Sequence, residues 1–192
     1  MRTVHVFLFA ILLPAAALAQ PNAFPVWERP AAGVFLGASG NGDANSRASG
    51  ADVGVVFDTP VVFGYRVRAD VSRVAWRFGA RDVSGVLKLN DTVTLKSIRL
   101  GVARVWQLSP RMAGYAGGGY GAYRYEYATT PLHNPWRGGT HLVAGWEVVS
   151  QSQRYALDGE VRLHGIDGTG QPPVFSDALF ELDAALGVKV RF

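Results

Sequence analysis

Residues 178–192, ALFELDAALGVKVRF, alternate strictly between two kinds of side chain. Every even position is apolar, whereas the odd positions carry four charged residues. A period of two places successive side chains on opposite faces of an extended chain, so the pattern predicts a strand between two unlike environments. An amphipathic helix would instead need apolar residues at spacings of three and four, and this stretch does not have them.

The same alternation recurs upstream and predicts eight strands in all. The seven earlier segments lie near residues 32–40, 50–57, 63–78, 98–103, 112–128, 141–148 and 155–164. The connections alternate in length: residues 40–49, 79–91, 129–139 and 165–176 are long, whereas 58–60, 109–111 and 150–153 are short. This alternation indicates an all-β, antiparallel up-and-down barrel with two different ends.

Two positions depart from the alternation. After Val71 the apolar phase shifts by one residue, and we predict a β-bulge near Ser72 and Arg73 that restores it. Arg104 falls on the apolar face of its strand, and the sequence offers no explanation for it.

The amino terminus has the features of a secretory signal. Arg2 precedes an apolar run, and a small-x-small cleavage pattern ends at Ala19. The apolar segment is shorter than the ~20 residues that a spanning helix requires. We therefore expect a cleaved signal peptide over residues 1–19, a periplasmic segment over 20–31, the barrel over 32–192, and export through the general secretory route.

Composition excludes several functions. The 192-residue chain has no cysteine, so disulfides, thiolate metal sites and a cysteine nucleophile are ruled out. Its net charge of +4 comes without a dense basic run, so we expect no nucleic-acid partner. The oxygen-bearing residues at 43–45 and 167–169 are too few to hold calcium. We expect no cofactor and no metal site.

Alternation does not say which face points inwards. A soluble lipocalin-like barrel has its apolar face inside, whereas an outer-membrane barrel has it outside. Aromatic residues cluster at both ends of the apolar face, which predicts two girdles around a lipid-facing band. The short-turn girdle would contain Phe57, Phe63, Tyr65, Trp106, Tyr115, Tyr155 and Phe192, and the long-loop girdle Trp76, Phe78, Tyr123, Tyr125, Tyr127 and Phe180. The fold class predicted is therefore an eight-stranded transmembrane β-barrel.

The polar face carries acids and bases in nearly equal numbers, as a sealed interior of paired charges requires. Eight strands enclose an interior just wide enough for side chains, so we expect a plugged barrel and no diffusion pore. Tyr120, His141 and His164 are also expected inside. The predicted interior charges are Arg66, Arg68, Asp70, Arg99, Arg124, Glu126, Glu147, Asp158, Glu160, Arg162, Glu181, Asp183, Lys189 and Arg191.

The last six residues, GVKVRF, resemble the carboxy-terminal signal of bacterial outer-membrane barrels. Gly187, Val190 and Phe192 match the glycine and the two alternate apolar residues of that signal. Residues 115–121, YAGGGYG, resemble the Gly- and Tyr-rich fifth strand of small barrels similar to outer-membrane protein A. The resemblance implies location in the bacterial outer membrane, with the lipid bilayer and the barrel insertion machinery as partners of a monomer.

The implied role is structural or interactive: membrane stabilisation, adhesion or ligand contact through long outer loops. Arg73 and Arg77 fall towards the long-loop end, where they could pair with lipopolysaccharide phosphates. One alternative is narrow transport of a small or apolar solute; another is a secreted lipocalin-like carrier, although the Gly-x-Trp signature is missing. A lipid hydrolase is disfavoured because neither His141 nor His164 begins the His-x-Ser pair of such barrels, and we expect no enzyme.

Overall fold

The computed structural model describes residues 27–41, 48–78, 92–127, 135–166 and 179–192. Each strand pairs antiparallel with its neighbours in the chain, and the last strand pairs with the first to close the barrel. The predicted eight-stranded up-and-down barrel is confirmed. Its strands are β1 Ala31–Asn41, β2 Ala48–Asp58, β3 Tyr65–Phe78, β4 Thr92–Ser109, β5 Met112–Tyr127, β6 Arg137–Val149, β7 Tyr155–Ile166 and β8 Leu179–Arg191.

Other expectations fall outside the described residues. They are the signal peptide, the candidate oxygen ligands at 43–45 and 167–169, and most of each long connection. Within the described ranges there is no helix long and apolar enough to cross a membrane.

The turn between β2 and β3 lies further along the chain than the predicted residues 58–60, because Asp58 ends β2 and the Thr59 N–H donates to the Val67 carbonyl at 2.9 Å. Val62 and Tyr65 exchange backbone hydrogen bonds of 2.8 and 3.0 Å around the pair Phe63-Gly64. Phe63 has φ 54° and Gly64 has φ 80°, the combination of a type I′ hairpin turn. The prediction that Phe63 begins the strand is therefore wrong, and the residue projects from the turn with 97% of its surface exposed.

The predicted bulge near Ser72 and Arg73 is also wrong. The register of β3 with both neighbouring strands runs through these residues without a shift. Alternation continues unbroken, so Arg73 stays outside while Val74 and Trp76 enter the interior. Side chains therefore keep alternating between the outside and the inside. Towards the long connections, however, the outward residue is charged and the inward residues are apolar.

Over the middle of the barrel the outward face is apolar and the inward face is charged. Leu36, Leu100 and Leu142 are each about 60% exposed on the outside. Lys189 and Glu147 are fully buried inside. This arrangement is that of a transmembrane barrel and the reverse of a lipocalin-like carrier.

Three apolar clusters lie inside the barrel. Two lie towards its ends, and most of the charged side chains lie between them together with a small third cluster of Phe35, Val56 and Ala185. The short-turn cluster contains Trp27, Val61, Ala103, Val105, Ala113, Tyr115, Val143, Val149 and Ala156. The long-connection cluster contains Val74, Trp76, Val93, Leu95, Tyr123, Tyr125 and Ile166.

The long-connection cluster corrects part of the predicted girdle. Trp76, Tyr123 and Tyr125 face the interior, as Tyr115 does at the other end. Tyr120, expected inside, is instead 58% exposed on the outer face. The side chains of three further predicted girdle residues, Phe78, Tyr127 and Phe180, lie outside the described set.

The remaining aromatic residues at the short-turn end lie on the outer surface. Phe57, Tyr65, Tyr155 and Phe192 are exposed, and Trp106 is half-buried. Arg104 lies on the same surface with its guanidinium 5.7 Å from the centre of the Tyr65 ring. This cation–π contact, near the end of the apolar belt, accounts for a charge on the lipid-facing side.

Candidate functional site

The interior nearest the short turns is filled by a balanced set of ion pairs. Arg66 Nη1 donates to Glu147 Oε2 at 2.8 Å, and Arg191 pairs with the other oxygen of the same carboxylate. Lys189 Nζ donates to Asp58 Oδ2 at 2.7 Å. These charges come from four different strands, so closure of the barrel brings them together.

Tyr115 lies at the centre of these pairs. Its hydroxyl is 2.9 Å from carboxylate oxygens of both Asp158 and Glu160, and it accepts a hydrogen bond from Arg68 Nη1 at 3.1 Å. The Arg66 guanidinium lies 4.3 Å from the ring centre. An inward tyrosine therefore adds hydrogen bonds to acids and bases that already pair with one another, which offsets part of the cost of burying them.

A second polar group surrounds Arg99, closer to the long connections. Arg99 Nε donates to Asp70 Oδ1 at 2.6 Å, and Arg99 Nη2 donates to Ser72 Oγ at 3.1 Å. The Ser72 and Ser97 hydroxyl oxygens lie 2.8 Å apart. Arg162 links the two polar groups, because it pairs with Glu160 on one side and with Asp52 at 3.4 Å on the other.

His164 is part of the same interior network. Its Nε2 lies 2.8 Å from Asp183 Oδ2, and its Nδ1 lies 3.1 Å from the Tyr123 hydroxyl. His141 is also buried, with its ring centre 6.2 Å from that of His164. Both ring nitrogens of His164 therefore have partners inside the closed wall, and the ring helps to hold the interior network together.

Two predicted interior charges are wrong. Arg124 and Glu126 lie on the outer face, where 45% and 37% of their side-chain surfaces are exposed. On β5 the side chains that point inwards are those of Tyr123 and Tyr125. The residues before them are mostly glycine and alanine, which do not show in the sequence which positions face inwards. The other predicted charges lie inside: Arg66, Arg68, Asp70, Arg99, Glu147, Asp158, Glu160, Arg162, Glu181, Asp183, Lys189 and Arg191.

The sequence reasoning missed Asp58, which was assigned to a turn. It ends β2 and is 2% exposed, with its carboxylate within 3.4 Å of Arg66 and 2.7 Å of Lys189. Asp58 has the same even phase as Asp52 and Val56 on this strand. Extending the alternation by one more step would have placed it inside.

On the outer face, three basic residues stand side by side on neighbouring strands. Arg73 on β3 lies opposite Lys96 on β4, and Lys96 lies opposite Arg124 on β5. We call Arg73, Lys96 and Arg124 the cationic row. Lys96 Nζ donates a 2.8 Å hydrogen bond to Glu126 Oε1.

The cationic row marks the edge of the apolar belt. The next outward residues towards the short turns are Val71, Ile98 and Ala122, which again lie opposite one another. Basic side chains thus sit directly above an apolar surface on three adjacent strands. The side chain of Arg77, also predicted as a phosphate contact, lies outside the described residues.

The carboxy-terminal residues of the predicted insertion signal divide between the two faces. Val190 and Phe192 are exposed on the outside. Gly187 faces inwards, where a Cβ would lie 3.2 Å from Cβ of Phe35. In the part of the chain that the structure describes, no group of three or more His, Asp or Glu residues is arranged to hold a metal ion.

Solved structures share this architecture. Neisserial surface protein A (NspA) is 13% identical, with a TM-score of 0.67 over 85% of this chain and 97% of that one. OprG from Pseudomonas aeruginosa is 10% identical, with a TM-score of 0.57 over 86% and 97%. Ail, the attachment invasion locus protein of Yersinia pestis, is 10% identical, with a TM-score of 0.50 over 85% and 99%.

No protein-family model and no curated protein sequence matches the chain. At these identities the structural likeness establishes the fold alone. The fold is that of the small eight-stranded outer-membrane β-barrels, as the carboxy-terminal resemblance implied.

Proposed function

We propose that this protein is a bacterial outer-membrane barrel with a structural or interaction role, working through its outer surface and long connections. In such barrels the short turns face the periplasm and the long connections face outwards. The observation that carries the proposal is the filled interior: paired charges from the walls, with an apolar cluster towards each end.

A passage for ions would have to break several of these contacts. Removing one partner of a buried ion pair typically costs about 3–5 kcal/mol, because the other charge stays buried. Both apolar clusters would also have to separate. This physical cost supports a plugged barrel over the alternative of narrow transport through the lumen.

Conductance of refolded protein in planar bilayers tests the proposal. Insertion is first checked by gel mobility, since a closed barrel resists SDS until it is heated. We expect a heat-dependent shift together with no stable channel openings. Steady ohmic conductance, or swelling of protein-containing liposomes in a small sugar, would overturn the proposal in favour of transport.

We further propose that the cationic row binds phosphate groups of lipopolysaccharide. Like charges directly opposite one another on neighbouring strands are destabilising, and only Glu126 is seen to offset them within the described residues. An anion spanning the row would relieve this repulsion. Acyl chains attached to the same anion would meet the apolar row formed by Val71, Ile98 and Ala122. Of the two arginines predicted to contact phosphate, Arg73 is a member of the cationic row.

Retention of lipopolysaccharide by the triple variant Arg73→Gln, Lys96→Gln and Arg124→Gln tests this contact. The matched control replaces Arg104, Arg111 and Arg154 at the short-turn end with glutamine, which removes the same charge. We expect retention to fall several-fold in the first variant and to stay at the wild-type level in the control. Equal retention in both variants, or an equal loss, would contradict a site at the row.

A further inference from the structure

Trp27 precedes the first strand and closes the mouth of the barrel at the short-turn end. It is completely buried, and its neighbours in the short-turn cluster come mainly from inward positions of β4 to β7. Most of those neighbours are valine and alanine. The indole is therefore the largest side chain in the cluster at this end of the interior.

Few contacts hold this short segment in place. The backbone N–H of Val61 donates to the Trp27 carbonyl at 2.9 Å, and that of Phe192 donates to the Pro30 carbonyl at 3.2 Å. The Arg191 guanidinium lies 4.6 Å from the centre of the indole. Glu28 and Arg29, between these anchors, are exposed. The segment thus turns a single side chain inwards.

The indole N–H has no hydrogen-bond partner among the described residues. Packing and the cation–π contact with Arg191 therefore hold the ring, with no polar bond that fixes it. Each wall strand, in contrast, is paired along its length on both sides. Regions with few backbone hydrogen bonds open locally at lower free energy than paired core strands do.

The ring also adjoins the ion pairs nearest the periplasm. Arg191, which it contacts, pairs with Glu147, and Glu147 accepts a hydrogen bond from Arg66. Displacement of the indole would open this group of charges to water. Hydration of buried charges is favourable, which lowers the free energy of an open state.

We propose that residues 27–30 form a movable lid: Trp27 closes the periplasmic mouth, and its withdrawal opens a water-filled vestibule that ends blindly below the polar group around Arg99. The lid gives the periplasm access to the lower interior without making a channel. This lid goes beyond the role proposed for the outer surface. A barrel with such a lid would still show no conductance, because the vestibule does not cross the barrel.

The absence of cysteine allows a direct test. A single cysteine is placed either at Ala113, beneath the lid, or at Ser97, in the upper polar group, and its labelling by a water-soluble maleimide is timed in folded protein. Both positions are buried. With Trp27→Ala we expect the Ala113→Cys position to label at least about tenfold faster, and the Ser97→Cys position to keep its rate.

Two controls separate a lid from general loosening. Trp27→Phe keeps a large ring and should leave both labelling rates near those of the wild type. Trp146→Ala, which removes a half-buried indole from the outer wall, should do the same. Unchanged labelling at Ala113→Cys in Trp27→Ala, or equal acceleration at both cysteine positions, would overturn the lid.

If Trp27→Ala fails to fold, the wild-type background still decides the matter. Labelling at Ala113→Cys is then followed as urea increases towards the unfolding transition seen by gel mobility. A lid predicts that Ala113→Cys becomes accessible at lower urea than Ser97→Cys does. Exposure of both cysteines together at the unfolding transition would show that no separate opening exists.

Discussion

Arg99 and Asp70 are directly opposite residues on β4 and β3, and Nε and Nη2 of the arginine both lie within 2.6 Å of the same Asp70 oxygen. Both residues are buried inside the barrel. The pair therefore combines two roles that are usually separate, since it joins neighbouring strands and also fills the lumen.

This geometry predicts a large penalty for removing one partner. Arg99→Met should lower the free energy of unfolding by about 3–5 kcal/mol, because Asp70 keeps its charge in a buried site. Urea titration followed by gel mobility would measure it. Lys96→Gln, which breaks the exposed pair with Glu126, is the matched control and should change stability little. A penalty equally small in both variants would show that the interior is hydrated enough to tolerate a lone charge.

Adding a methyl group at two glycines should have opposite results. A Cβ at Gly119 would lie 2.0 Å from the Leu100 carbonyl oxygen, whereas one at Gly40 would meet nothing within 4 Å. Gly119→Ala should therefore destabilise the barrel by about 1–3 kcal/mol through overpacking. Gly40→Ala should be neutral or slightly stabilising, because alanine loses less conformational entropy on folding. The same urea titration separates the two variants, and equal stability would refute the close approach of β4 and β5.

The turn at Phe63 should improve when its aromatic residue is replaced. A bulky side chain at positive φ is strained, and asparagine before glycine is the preferred pair for this turn. Phe63→Asn should raise the free energy of unfolding in detergent by about 1 kcal/mol. Phe63→Ala also removes the ring but lacks that preference, so it should gain less. A loss of stability in both variants would show instead that the ring is needed at this position.

Glu126 should weaken phosphate binding at the cationic row. It is hydrogen-bonded to Lys96 and lies 3.8 Å from Arg124, so it offsets part of their charge. Glu126→Gln should increase lipopolysaccharide retention, measured as for the triple variant. Glu28→Gln removes an exposed acid at the opposite end and should have no effect. Reduced retention in Glu126→Gln would mean that the carboxylate itself takes part in binding, for example through a bridging cation.

Much of the candidate site could be predicted from alternation alone. The phase of β8 placed Glu181, Asp183, Lys189 and Arg191 on one face, and all four are buried. Prediction failed where a strand carried too few large residues to show its phase, as on β5 before Arg124. It also failed at strand ends: Asp58 was assigned to a turn, although its side chain reaches Lys189 inside the barrel.

The sequence by itself determined the number of strands and which side chains share a face, because the period of two is a local property of an extended chain. Only the tertiary structure decided whether a given part of each face lies against lipid, in water or inside the barrel. Arg73 follows the phase of Val71 yet lies beyond the apolar belt, and Trp76 follows the phase of Asp70 yet packs in an apolar cluster. The tertiary structure also decided which charged residues pair, as with Arg66 and Glu147, which lie far apart in the chain. Their contact depends on strand register and barrel closure, which are set by all eight strands together.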